Sequence, residues 1–331
     1  MELTTVWFVL VAALFTGYFV LEGFDFGVGA LLPVLGRDEP QRRMLLGTIG
    51  PVWDGNEVWV ITAGGAMFAA FPAWYATLFS ALYLPLLLIL LALILRGVAF
   101  EYRGMRDHPT WRARWDAAIV FGSTAPAFLW GVAFANIARG LPLAPDGDYT
   151  GGLLDLLHPY ALLGGVVTLS LFVTHGAVFL ALKTEAPIRA RAARAATRVG
   201  PLALAALAAF AVWTLTTRSA PAAAVAAAAS VATLCGALAA NRARREGWAF
   251  VGTALTIGLL VVTLFTALYP AVLPSTLPTG DLTVTNAASS PYTLRLMTWV
   301  AAIFAPLVLL YQGWTYWVFR KRVTTADNGY H

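Results

Sequence analysis

The strongest constraint on this chain is a series of nine apolar runs, at residues 7–32, 52–71, 74–95, 115–138, 159–182, 200–217, 220–240, 248–269 and 292–319. Each is close to the roughly 20 apolar residues that a helix needs to cross a bilayer. Strands of a membrane barrel are about half that length and alternate in polarity, whereas these runs are apolar on all sides. Of the 331 residues, 59% are hydrophobic and only 12% charged, so nine crossings leave no room for a large soluble domain. The pattern predicts an all-α membrane protein.

The formal net charge of +5 comes from 22 basic residues, of which only Lys183 and Lys321 are lysines. They lie in short clusters between apolar runs, a pattern of membrane orientation that excludes nucleic-acid binding as the main reading. Loops one, three, five and seven and the C-terminal tail carry 19 of the 22, including Arg96, Arg103, Arg106, Arg112 and Arg114 in loop three. The other side has only Arg139, Arg218 and Arg295. Positive loops stay cytoplasmic, which predicts an outside N-terminus and a cytoplasmic C-terminus. The first residues, Met1 to Thr5, lack a positive region and a cleavage site, so the first run reads as a retained helix. A single cysteine, Cys235, allows neither an internal disulfide nor a cysteine-ligated cluster.

A faint repeat links residues about 150 apart. Val20-Leu21-Glu22-Gly23 aligns with Val173-Thr174-His175-Gly176, and Ile49-Gly50-Pro51-Val52 with Val199-Gly200-Pro201-Leu202. An offset of four helices keeps orientation, so the expected arrangement is two four-helix units with the ninth helix outside them. The division runs 1–140 for the first bundle, 141–157 for an extracytoplasmic loop and 158–275 for the second bundle. Residues 276–331 then supply a loop, the peripheral helix and the tail.

Ionisable groups in hydrocarbon are costly and mark functional positions. Glu22 and Asp25 fall in the first run and Asp54 and Glu57 in the second, each pair spaced to share a helix face. Counted from Arg37 and Arg43 along continuous helices, Asp25 and Asp54 come out at depths of about 18 and 17 Å. Two carboxylate pairs are then expected to face each other near mid-membrane, with Gly50-Pro51 as a possible kink and no Lys or Arg inside these spans to neutralise them. Such a set reads as a proton or cation relay. The structural alternative is that each acid bonds to Asn56, Trp53, backbone or a partner chain and fixes packing. Trp53 and Trp59, beside Asp54, belong to an interfacial belt with Trp74 and Trp115, or shape the proton site. Gly23, Gly27, Gly29, Gly64 and Gly65 read as close-packing positions. Of the four histidines only His158 and His175 lie at or within a span, too few for a multi-haem centre.

Three motifs then carry a family resemblance. They are Glu22-Gly23-Phe24-Asp25-Phe26-Gly27-Val28-Gly29, Pro51-Val52-Trp53-Asp54-Gly55-Asn56-Glu57-Val58-Trp59 running into Ile61 to Ala66, and Arg96-Gly97-Val98-Ala99-Phe100-Glu101-Tyr102-Arg103. With Gly131 to Asn136 they resemble subunit II of cytochrome bd quinol oxidase, strongly over the first 140 residues and by helix spacing beyond. The resemblance implies a heterodimer in the bacterial cytoplasmic membrane, each subunit being two four-helix bundles plus a peripheral helix. It places two haems b, one haem d and quinol oxidation in subunit I, with no haem ligand in this chain. Small accessory subunits and membrane lipid are further partners on this reading. Protons are drawn from the cytoplasm for O2 reduction, and Asp54 matches the family's proposed proton-path acid. Glu57 is Glu or Gln in relatives, and Glu22 varies between acidic types. A proton-coupled secondary transporter and a purely structural subunit are the alternatives.

Overall fold

The computed structural model describes residues 2–218, 220–278 and 280–324, so His331 lies outside the described residues. Eleven α-helices run in chain order: α1 Leu3–Leu35, α2 Glu39–Ile49, α3 Trp53–Ala70, α4 Pro72–Ala81, α5 Tyr83–Tyr102, α6 Pro109–Arg139, α7 Pro159–Lys183, α8 Ile188–Thr217, α9 Pro221–Arg242, α10 Glu246–Leu268 and α11 Pro291–Val318. Several begin on proline, whose missing N–H costs nothing at a first helical position. Asp38 caps α2 by accepting from the Gln41 N–H at 2.9 Å. Eight helices are long and apolar enough to span a membrane, and α3, whose 18 residues open on Asp54, Asn56 and Glu57, is not among them.

Three expectations about the helices need correction. Gly50-Pro51 is not a kink but a break, separating α2 from α3, so the depth count from Arg43 does not follow one helix. The third run is broken at Leu82 into α4 and α5; Pro85 has no N–H to bond the Ala81 carbonyl, which favours the break. Helix α5 then continues to Tyr102, which places Arg96 inside it and not in a loop. Likewise α8 begins at Ile188 and carries Arg189, Arg191, Arg194 and Arg198, with Pro201 accommodated inside the helix.

Helix α1 is central and packs against α3, α6, α7 and α10. Its crossing with α7 needs glycine: a Cβ on Gly27 would lie 2.0 Å from the Phe172 carbonyl oxygen, and one on Gly176 2.5 Å from the Gly27 carbonyl carbon. Phe15 and Phe19 on α1 meet Trp130 and Phe134 on α6 edge-on, with ring centroids 5.0–6.5 Å apart. This core is shared by helices of both halves of the chain. Helix α11 touches it only at its N-terminal end, through Leu294, its one buried residue, with Met297 and Ala301 packed alongside.

The two ends of the helix assembly differ. At one end the 141–150 segment joins the 271–283 segment through Leu141 N–H to the Pro274 carbonyl at 3.0 Å, beside the short antiparallel pair β1 Ala271–Leu273 and β2 Leu282–Thr283. At the other end ion pairs clamp α2 to the α5–α6 connection. Arg103 donates to both Glu39 oxygens, at 2.9 and 2.7 Å, and to Asp116 at 2.5 Å, while Arg42 reaches Asp116 at 2.7 Å. Burial alone would raise the Glu39 pKa, but hydrogen bonds from Arg103 and Arg43 outweigh it and hold the carboxyl at about 2.

Candidate functional site

The break before α3 sets its first turn against the middle of α1. Asn56 donates through Nδ2 to Asp25 Oδ2 at 2.7 Å and to the Leu21 carbonyl at 3.5 Å. Its Oδ1 accepts from Gln312 Nε2 at 3.1 Å and Tyr316 Oη at 2.8 Å, both on α11. Asn56 is therefore a hub between α1, α3 and α11. Trp59, one turn on, fills the notch at Gly17 of α1, where a Cβ would overlap its ring. Trp53 instead turns to α5 and packs on Phe100 at 5.0 Å.

Arg96 enters this site from α5, fully buried. Its Nη2 donates to Glu22 Oε1 and, at 2.5 Å, to Glu57 Oε1. The guanidinium lies 4.6 Å from the Phe26 ring centroid and 5.7 Å from that of Phe100. Gly122 of α6 makes room for it, since a Cβ there would come within 2.6 Å of Arg96 Cβ. Glu22 and Asp25 are fully buried, whereas Glu57 is 21% exposed. Glu22 Oε2, Asp25 Oδ1, and Arg96 Nε and Nη1 have no hydrogen-bond partner among the described residues.

The expected set of four facing carboxylates is thus corrected in two ways. Glu22 and Glu57 do come together, but around a cation supplied by α5, and Asp25, one turn along α1 from Glu22, is held by the Asn56 amide. Asp54 is exposed and forms no ion pair or hydrogen bond with that group among the described residues. The reason is helical: Asp54 and Glu57 are about 60° apart around α3, and Glu57 takes the inward side. Residue reasoning missed Arg96, Gln312 and Tyr316. A positive charge directly continuing the run that ends at Leu95 was the available signal for the first, and a polar amide amid the apolar 292–319 run for the second.

The remaining candidates are engaged elsewhere. His175 on α7 has Nδ1 2.7 Å from Thr253 Oγ1 and Nε2 3.1 Å from the Val20 carbonyl, with Phe250 stacked on its ring at 4.8 Å. Because a carbonyl only accepts, Nε2 carries the proton and Nδ1 accepts from Thr253. His158 Nδ1 accepts from the Tyr160 N–H at 3.2 Å and caps α7. Among the described residues no group of three or more His, Cys, Asp or Glu could hold a metal ion.

Residues 3–319 match the family described as cytochrome bd terminal oxidase subunit II. The chain belongs to that family. It is 43% identical to the cytochrome bd ubiquinol oxidase subunit 2 of Bacillus subtilis strain 168, over 98% of both chains. It is also 36% identical to the cytochrome bd-I ubiquinol oxidase subunit 2 of Escherichia coli K12, over 97% of this chain and 95% of that one. Its fold resembles a chain in the structure of bd oxidase from Geobacillus thermodenitrificans, with a TM-score of 0.77 at 16% identity, covering 96% of this chain and 97% of the other. As a subunit II, the chain is part of a terminal oxidase and a multi-pass bacterial membrane protein, and subunit I is the partner that this membership implies.

Proposed function

We propose that this subunit pairs with a haem-bearing subunit I in oxidising quinol and reducing O2 to water, and that it supplies a proton path from the cytoplasmic side. The path begins at Asp54 and continues through Glu57 to Glu22 and Asp25. The observation carrying this reading is the charge count at the site: one guanidinium, Arg96, pairs with Glu22 and Glu57, while a third carboxyl, the buried Asp25, has only the Asn56 amide as its partner. Bound protons make up such a deficit, and carboxyls that exchange protons are relay groups. Asp54, exposed on an apolar helical assembly, is an unfavourable group to leave facing lipid, which supports its lying against subunit I.

Nine crossings follow if α2 with α3, and α4 with α5, each make one broken crossing, with α1, α3, α5 and α6 in one bundle, α7 to α10 in the other and α11 at the periphery. The basic clusters support a cytoplasmic C-terminus, and moving Arg96 into the membrane leaves that asymmetry intact. His175, the histidine inside a span, does not fit a haem ligand, because both its nitrogens are held by protein; this supports assigning two haems b and one haem d to subunit I. The supports for a secondary transporter, mid-membrane acids and a repeat, are equally consistent with an oxidase subunit, and the family match favours the latter.

Quinol-dependent O2 consumption per haem d of the complex tests the path. Asp54→Asn keeps size and hydrogen bonding but removes the titratable proton, and should slow turnover at least about tenfold, roughly 1.4 kcal/mol on the barrier. Wild-type turnover in an assembled Asp54→Asn complex would remove Asp54 as an obligatory relay. For orientation, a reporter active only outside the cytoplasm should work when fused after residue 145 and fail after residue 190.

A further inference from the structure

Five arginines in the second half of the chain meet no acid among the described residues. Arg194 and Arg198 on α8, Arg242 at the end of α9, and Arg244 and Arg245 in the next turn are all exposed. None forms an ion pair among the described residues. The adjacent carboxylate, Glu246, is buried and committed to Arg189 at 2.6 Å.

The α8–α9 seam determines where these side chains point. Asn241 Nδ2 donates to the Ala193 carbonyl and to Thr197 Oγ1, both at 3.0 Å, and Gly200 lies against Leu238. Residue numbers therefore run in opposite directions across the seam, as in an antiparallel pair. Arg242, Arg194 and Arg198 each follow one of these contact residues by a single position, a turn of about 100°. In antiparallel right-handed helices, one such step from the contact line swings both side chains to the same flank. That flank is the outer one, because Ala192 and Ala196 on the other side of α8 are buried. Farther along it Ala205 and Val212 of α8 and Ala224 and Ala228 of α9 are exposed, a mostly small-residue apolar flank. Trp248, 70% exposed at the start of α10, marks the level at which membrane interfaces place tryptophan.

We infer that the outer flank of the α8–α9 seam binds an anionic membrane phospholipid, its phosphate between Arg194, Arg198 and Arg242 and an acyl chain along this apolar flank. Guanidinium forks match phosphate oxygens, and unpaired arginines between helix ends recognise anionic headgroups where apolar helix surface receives the chain. The inference goes beyond the proton path and rests only on α8 and α9 crossing the membrane; a failure of that premise would show separately in the reporter fusions.

The test is lipid binding to the delipidated complex with subunit I, titrated with phosphatidylglycerol or phosphatidylcholine and read by native mass spectrometry. Wild type should prefer phosphatidylglycerol at least about tenfold. R194Q/R198Q/R242Q should reduce that preference to within about twofold, while R37Q/R114Q, which removes exposed unpaired arginines elsewhere, should leave it. Inorganic phosphate in large excess should not displace the lipid; displacement would identify an ion site and overturn the lipid assignment. Equal binding of the two lipids by wild type overturns it whether or not the triple variant assembles. An unchanged preference in an assembled triple variant overturns it as well.

Discussion

Helices α1 and α7 meet at Gly27 and Gly176, and the polar groups near that crossing differ in kind. On α1, Glu22 and Asp25 are charged-type groups that engage Arg96 of α5 and Asn56 of α3. On α7, His175 is satisfied by a hydroxyl of α10 and a backbone carbonyl of α1. At the ends of the helices the contrast is reversed. Arginines of α2 and the α5–α6 connection are neutralised by Glu39 and Asp116, while those of the α8–α9 seam are not. A neutral polar side chain in an apolar interior is served by whichever helix is adjacent; a carboxylate needs a countercharge, and here several helices must close around it. In the interior, the first half is therefore where charge is both costly and usable, and the second half supplies a neutral frame around it.

The comparison breaks most readily at Arg96. Arg96→Leu leaves Glu22 and Glu57 facing each other in a buried site and should cost about 3–5 kcal/mol, read as a loss of most of the assembled complex. Adding Glu22→Gln and Glu57→Gln should restore part of the yield, and a normal yield from Arg96→Leu alone would mean that the cation is dispensable. Next in size is Asp116→Ala, which removes the shared acceptor of Arg42 and Arg103 and should lower stability by about 2–3 kcal/mol in thermal unfolding.

Glu39 sharpens the contrast through pH. Its folded pKa of about 2 lies below the ordinary carboxyl value of about 4.3, so its contribution is complete above the ordinary value and is lost as pH falls towards 2. Glu39 is 28% exposed, and solvent screening reduces the contribution to about 1 kcal/mol. Glu39→Gln should flatten that part of the acid-stability curve and lower stability above pH 6 by about 1 kcal/mol, with no change of slope there. The smallest effect is expected in the second half: His175→Asn should cost about 1 kcal/mol in stability and leave turnover and all haem signals in place. A selective loss of one haem band would overturn the neutral-frame view of α7.

Apolar run length and the absence of alternation make the helical membrane class legible in the sequence, because a crossing helix must satisfy its backbone internally and present apolar side chains to lipid. The motifs around Glu22, Asp54 and Arg96 make the family legible too. Less is readable about which acid faces which group. Asp54 and Glu57 sit three residues apart and look equivalent in sequence, yet one is exposed and the other meets Arg96. Arg96 itself is easily misplaced, because a charge at the end of an apolar run reads as a loop when its partners are 74 and 39 residues away.

By itself, the sequence determined composition-driven properties: helical secondary structure, membrane residence, and the positions where glycine and proline permit close approach or a helix start. These follow from local chemistry repeated over about 20 residues. The tertiary structure decided the register at which α1, α3 and α5 meet, where α2 and α3 separate, and that Gln312 and Tyr316 of α11 reach Asn56. Those contacts join residues up to 260 positions apart, and no local periodicity encodes them. A buried charge is assigned its partner by packing, since only the closed assembly shows which donor reaches it.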